Sequence, residues 1–300
     1  MKNTTDLLSF IEKFSTEDQC YAFLVNAKWG KRYTCIKCGH NESIKGRTWH
    51  HKRCRKCNYD ESCTANTLFH RLRFPLTKAF VIIYQLSTMK KGMASTEIAR
   101  QHGIHQESAW FFKRKVQLAM QASDTGLLKV IVEADETLIG GFEAGAQGRS
   151  HGKKKSIFIT VEIGAYVGKL KRSQMLRAKA VCIDNYSIEA LADGINETIS
   201  EDAIVVTDRW GSYIKAVGER RHLDILSDKG KSMPEIHRLI FNLKNWLRGT
   251  HHNVSADHLQ CYLDEFFFRF NYRNAIQTLP NKMISAMIKH SKTPYISLVA

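Results

Sequence analysis

Apolar positions recur at helical spacing in the first part of the chain and at strand spacing in the middle. Leu7, Leu8, Ile11 and Phe14 share a helical stripe, and Phe23 and Leu24 resume it after a polar break at Ser15-Thr16-Glu17-Asp18. Residues 1–27 therefore predict a short helical lead. Residues 28–63 have no such stripe. Over 75–122 the pattern predicts three helices: Leu76 to Met89, Ser95 to His102 and His105 to Met120. From Gly126 it changes again. Lys129 to Asp135, Ile157 to Ile163 and Met175 to Ile183 read as strands, Ser187 to Ile199 as a helix, and Ala203 to Asp208 as an apolar strand ending in an acid. Two long helical patterns close the region, and no internal repeat is visible.

Three strands, a helix and a fourth strand follow the order of an RNase H-like fold. In that arrangement the first three strands form an antiparallel meander, and the helix crosses over so that the fourth strand runs parallel to the first. The predicted class is multi-domain α+β. It has an N-terminal segment whose paired cysteines, Cys35 with Cys38 and Cys54 with Cys57, predict a zinc ribbon (28–63), a three-helix segment predicted as a helix-turn-helix bundle (64–125) and an RNase H-like α/β mixed-sheet core (126–275), followed by a C-terminal tail (276–300).

Composition narrows the partners. The 300 residues are 43% hydrophobic with only 4 Pro and 18 Gly, which excludes a disordered or collagen-like chain. Lys and Arg outnumber Asp and Glu, 45 to 29, for a net charge of +16. That excess favours a polyanion such as DNA or RNA. The longest apolar run, near Ala79 to Tyr84, is far too short to span a bilayer. Without a visible secretory signal, the expected location is the cytoplasm, at the nucleoid. Eight cysteines there are unlikely material for a disulfide framework.

Their spacing offers a different role. Cys35-Ile-Lys-Cys38 and Cys54-Arg-Lys-Cys57 are two CxxC pairs separated by fifteen residues. Each pair lets a tight turn present two soft ligands, and two pairs complete a closed tetrahedral zinc site. Gly39 and Asn58 follow the pairs and tolerate the left-handed angles such turns need. One structural Zn2+ is expected on Cys35, Cys38, Cys54 and Cys57. Between Lys28 and Cys57 there are ten Lys and Arg against one acid, Glu42. Lys52, Arg53 and Arg55 are therefore candidate phosphate contacts.

Ser95 to Trp110 has helix-turn-helix grammar, with Ala99 where helices touch, Gly103 at the turn and Ile104 as a core plug. Gln106 and Ser108 would face base edges, with Lys113 and Arg114 further along the same helix as additional DNA contacts. A plain three-helix bundle is the competing reading.

Asp135 and Asp208 end the first and fourth predicted strands, so the fold would set them side by side. Two adjacent carboxylates repel, a hard divalent cation, Mg2+ or Mn2+, would relieve that repulsion, and two such ions ~3.5–4 Å apart would stabilise the attacking and leaving oxygens of an in-line phosphoryl displacement. A third oxygen ligand is expected from the helix after the fifth strand. Asn242, Glu235 and, further on, Glu265 are the candidates.

These residues assemble into a resemblance. Ala134-Asp-Glu-Thr137 with Ile139-Gly-Gly141, Thr207-Asp208 with Gly211-Ser-Tyr213, and the run from Asn242 to His252 are its most specific parts. Val254-Ser255, His258-Leu-Gln260, Tyr262 to Phe266 and Arg269-Phe-Asn271 complete it. The chain resembles an insertion-sequence transposase of the IS1595 type with an ISXO2-like, DDE-type catalytic domain. The resemblance implies Asp135 and Asp208 as catalytic acids, Asn242 as the third member in place of Glu, and Lys244 close behind. It implies that Lys244, Arg248, His251 and His252 hold phosphates, and that the Gly140 to Lys155 stretch is a hairpin loop at the DNA. It further implies metal-dependent cleavage at the terminal repeats of an element, followed by attack of the freed 3′-hydroxyl on target DNA. Double-stranded DNA and a second copy of the chain, in a synaptic complex, would be its partners. A non-catalytic DNA-binding regulator and a nuclease that cuts without joining are the alternatives.

Overall fold

The computed structural model describes residues 6–123, 126–140, 154–168, 172–226, 232–251 and 254–294. The chain divides into two compact units, residues 1–123 with 272–300, and residues 124–271.

The first unit begins with helix α1 (Leu7–Lys13) and helix α2 (Glu17–Trp29). The polar break between them is a capping box. Thr16 accepts from the Gln19 N–H, and the Gln19 side chain accepts from the Thr16 N–H. Phe10, Phe14, Phe23 and Tyr84 or Phe80 then meet ring to ring, which anchors the helical lead. Three short antiparallel strands follow: β1 (Ser43–Lys45), β2 (His51–Cys54) and β3 (Asp60–Ser62). Helices α3 (Leu76–Thr88), α4 (Ser95–His102) and α5 (Gln106–Gln121) come next. The α4–α5 turn closes on Gly103 at φ 58°, a left-handed angle that glycine adopts without steric cost.

The second unit holds a mixed five-stranded sheet. Its strands are β4 (Ile131–Ile139), β5 (Lys155–Val167), β6 (Arg172–Ile183), β7 (Ile204–Asp208) and β8 (Arg221–Ile225), in the order β6-β5-β4-β7-β8. The first three form an antiparallel meander. Helix α6 (Ile188–Thr198) crosses over, so that β7 runs parallel to β4, and β8 runs parallel to β7 after helix α7 (Gly211–Ala216). Gly194 permits a close approach of α6 to the sheet, since a Cβ there would lie 2.8 Å from the Phe158 ring. Helices α8 (Pro234–His251) and α9 (Ala256–Asn271) cover the opposite face. Val132, Ala134, Phe158 and Val205 pack with Leu191, Ile195 and Tyr213 on one side. Ile157, Ile159, Val161 and Val206 pack with Ile236, Leu239, Leu243 and Leu263 on the other.

The structure modifies two expectations. The first strand does not stop at Asp135, because β5 pairs with it as far as Ile139 opposite Lys155. Asp135 therefore sits mid-strand, where its parallel partner β7 ends. The stretch 276–300, expected as a tail, carries a short 3-10 turn (Ile276–Thr278) and helix α10 (Leu279–Lys289). Leu279, Met283, Ile284 and Met287 of α10 are buried within the first unit, and the Leu68 N–H donates to Met287 O at 3.1 Å. With Pro280 and Ile288 buried as well, this helix is an integral part of that core. Among the described residues no helix is long and apolar enough to cross a membrane.

Candidate functional site

In the first unit the four thiols converge. The Sγ atoms of Cys35, Cys38, Cys54 and Cys57 all lie within 4.8 Å of one another, with Cys35–Cys57 and Cys38–Cys54 both at 3.6 Å. Four sulfurs around one zinc at ~2.3 Å stand about 3.8 Å apart. The cluster could hold that ion. Two matching knuckles build it. The Gly39 N–H donates to Cys35 O at 2.9 Å and the Asn58 N–H to Cys54 O at 3.1 Å, and both residues have left-handed angles, φ 72° and 56°. Cys63, near in sequence, is buried outside the cluster.

The basic residues nearby differ in how they are engaged. Arg55 is exposed, with Glu42 at 3.8 Å. Arg53 is exposed and forms a 3.1 Å ion pair with Asp60. Lys52 is half-buried, its Nζ 5.4 Å from the Trp29 ring centre and 5.6 Å from that of Tyr33. On α5, Gln106 is exposed and Ser108 half-buried at the first turn. Lys113 and Arg114 are a correction. Both are buried, 2% and 6% exposed. Lys113 Nζ donates to Met93 O at 2.8 Å, and Arg114 Nη1 to Gln117 Oε1 at 3.2 Å. Lys113 is thus engaged by a backbone oxygen of the first unit and Arg114 by a side chain one turn along its own helix, and neither stands exposed as a free cation on the helix surface.

In the second unit, strand register gathers the acids. β4 and β7 pair Ile131 with Ile204, Val132 with Val205 and Glu133 with Val206. Carried on two residues, that register sets Asp135 opposite Asp208. Side chains alternate across a strand. Val132 and Ala134 point to α6, so Glu133 and Asp135 point to α8, as does Asp208 two residues after Val206. Asp135 Oδ1 accepts the Glu136 N–H at 2.9 Å, and Asp208 Oδ1 accepts the Trp210 N–H at 3.2 Å. Behind the strand, the buried Tyr213 hydroxyl donates to Glu136 Oε2. Burial and the Glu136 carboxylate raise that phenol well above its ordinary range.

Helix α8 meets this edge with its N-terminal turns. Glu133 Oε2 accepts the Ile236 N–H at 3.0 Å, in the position of an anion at a helix N-terminus. Burial still pushes Glu133 up to about 7. His237 Nδ1 lies 3.6 Å from Asp135 Oδ2. Burial lowers the His237 pKa, while the charge of Asp208 works the other way. Lys244 is half-buried; burial lowers its pKa and Asp135 opposes that. At 3.6 residues per turn, Lys244 and Arg248 each lie roughly 20° around the helix axis from His237. These three share one border of the apolar stripe made by Ile236, Leu239, Ile240, Leu243 and Leu247.

Asn242 lies elsewhere on the helix. It is exposed and projects roughly 140° from His237. Glu235 is buried against Arg238 at 2.5 Å, and Glu265, which the sequence left facing solvent or the site, is fully buried against Arg269 at 2.5 Å. His251 packs its ring against Trp246 and Tyr262, with centroids 4.9 and 4.5 Å away. His252 and most of the Gly140 to Lys155 stretch lie outside the described residues. Sequence reasoning missed His237. The signal was the phase of the stripe, which leaves His237 and Lys244 on its edge.

Residues 127–271 match the model of the ISXO2-like transposase domain. This chain carries an IS1595-family transposase domain. The matched span runs from just before β4 to the end of α9, so Asp135, Asp208 and all of α8 fall inside the transposase domain. A comparison with curated proteins finds no match. Among solved structures, the chain is similar to the Mos1 mariner paired end complex with Mn, with TM-score 0.32 and 14% identity over 67% of this chain and 75% of that one. It is also similar to the Mos1 strand transfer complex, with TM-score 0.21 and 13% identity over 71% and 78%.

Proposed function

We propose that the transposase domain cuts DNA at the ends of a mobile element and joins the freed 3′-hydroxyl to target DNA. One observation carries this reading. The β4–β7 pairing runs to Glu133 opposite Val206, two residues before Asp135 and Asp208, and His237 in the first turns of α8 lies 3.6 Å from Asp135. Strand order and orientation support an RNase H-like core around that edge.

The donor set fits a divalent cation. Asp135 and Asp208 offer hard oxygens, and His237 offers an imidazole nitrogen that suits Mn2+ as well. We assign the third position to His237 in preference to Asn242, because His237 Nδ1 lies 3.6 Å from Asp135 whereas Asn242 projects roughly 140° away around α8. One or two Mg2+ or Mn2+ ions bound there would supply Lewis-acid charge and a more acidic water. Lys244 adds a positive charge beside Asp135. Lys244 and the exposed Arg248 would hold the phosphates on either side of the reacting one. In the first unit, a zinc ion on the four cysteines would make a rigid knuckle that offers Arg55 and Arg53 to the backbone. Helices α4 and α5 would read sequence as a helix-turn-helix, through Gln106 and Ser108. Two ends must be processed together, so a homo-oligomer on double-stranded DNA is part of the proposal.

The test is a labelled duplex bearing the inverted repeats that bracket this gene, incubated with Mg2+ or Mn2+. Cut and joined products are expected from the native chain and neither from Asp135→Ala or Asp208→Ala. Cuts without joined products would make the protein a nuclease. DNA binding without metal-dependent cuts would make it a regulator.

A further inference from the structure

Phe241 is 64% exposed, although it lies on a helix whose other large apolar side chains, Ile236, Leu239, Ile240, Leu243 and Leu247, are all buried. It therefore contributes little to the core. Its position on the helix is informative. Phe241 sits roughly 40° around the axis from His237 and about 60° from Lys244, on the outward side of that row. Arg248 continues the row two turns further on and is exposed. A bare aromatic ring thus stands on the outward side of a row of one imidazole and two cations, and the imidazole of that row lies 3.6 Å from Asp135.

We propose that Phe241 stacks on a nucleobase displaced from the duplex beside the reacting phosphate. This deepens the transposase reading and rests on it. From His237 to Phe241 the helix rises about 6 Å. That is about two nucleotide steps of ~3.4 Å along one strand, so the ring reaches a base one or two positions from the cut. Lys244 and Arg248 match the negative backbone, and the ring supplies the apolar face that a backbone cannot engage. Every base has a π-face, so the contact tolerates sequence. Apolar side chains that enter the stack unstack and kink a duplex, which would free the strand to approach the aspartates.

The experiment uses the full chain, with Phe241→Ala, Phe241→Leu and Phe241→Trp. Each is given an end duplex that is fully paired, or one with two mispaired nucleotides flanking the cut. A third duplex carries 2-aminopurine at the flank. On the paired end, the Ala and Leu variants are expected to cut about tenfold more slowly or worse, in line with the worth of one base stack, and Trp to cut like the native chain. The mispaired end should restore the Ala variant to within about twofold, because the base is already free. 2-Aminopurine fluorescence should change on binding of the native chain and not of the Ala variant. Equal loss on both ends, or no loss on either, overturns the proposal, as does an oligomer that falls apart on Phe241→Ala, which would make the ring a protein contact. The fluorescence arm needs no cleavage. A native chain that fails to cut while showing a Phe241-dependent signal would sink the transposase reading and leave the stacking intact. Absence of that signal from a chain that cuts would do the reverse.

Discussion

The thiol cluster and the acidic edge gather charge by opposite means. Cys35 and Cys38, like Cys54 and Cys57, are held by turns a few residues long, beside strands of only three or four residues. Asp135 and Asp208 are 73 residues apart and meet because a crossover helix makes β7 parallel to β4. The acidic edge stands on a sheet that packs apolar side chains on both faces. On the proposed reading, a metal at the knuckle would stabilise the fold, whereas a metal at the acidic edge would serve chemistry on a fold that already stands.

The sharpest way to break that comparison is to remove one ligand from each region. Asp208→Ala should lower cleavage by more than the ~100-fold that outer-shell changes at metal sites can reach, with DNA binding in a gel shift and the melting profile unchanged. Cys54→Ser, or a chelator, should do the reverse at the knuckle. Structural zinc supplies about 10–16 kcal/mol of folding free energy in small sites, so amide exchange should show residues 28–63 open while the sheet stays protected. A knuckle that stays protected without zinc would refute the contrast.

A smaller effect sharpens it. Arg55→Gln should flatten the salt dependence of DNA binding by roughly one unit of slope, as expected for one lost phosphate contact. Lys52→Gln should act mainly through stability, because its ammonium lies over Trp29 and Tyr33. Equal slopes for both variants would mean that their different engagement has no consequence for binding.

The smallest expected effect concerns a charge inside the helical bundle. Burial pushes the Lys115 ammonium down to about 8, and Nζ donates to His70 O at 3.1 Å. The unfolded chain holds that proton more tightly between pH 8 and the usual 10.5, so this residue's contribution to stability rises with pH across that window. The melting midpoint of the native chain should gain roughly a few degrees there relative to Lys115→Met. Parallel curves for the two proteins would contradict it.

The same contrast explains what was legible in the sequence. The four-cysteine cluster is a local spacing, so it could be read directly. Strand order was legible too, because alternation marks each strand and Asp208 ends an apolar run. The phase of α8 against the sheet was not. Asn242 attracted attention as an oxygen donor at a reasonable distance along the chain, but which side of a helix faces a sheet is decided by the whole apolar stripe, and that stripe turns His237 and Lys244 to the edge. Lys113 and Arg114 misled for a related reason. A basic run on a helix reads as a surface, yet every residue from Phe112 to Gln117 is buried, and the Met93 carbonyl and the Gln117 side chain accept from Lys113 and Arg114.

The central claim is that Asp135, Asp208 and His237 form one cation site. Mn2+ binding to the full zinc-loaded chain, followed by electron paramagnetic resonance, tests it without any DNA. The native chain and Asn242→Ala should bind Mn2+ alike, His237→Ala should bind about 10-fold or more weakly, and Asp135→Ala and Asp208→Ala should show no site. Loss of binding in Asn242→Ala with native binding in His237→Ala would contradict the account.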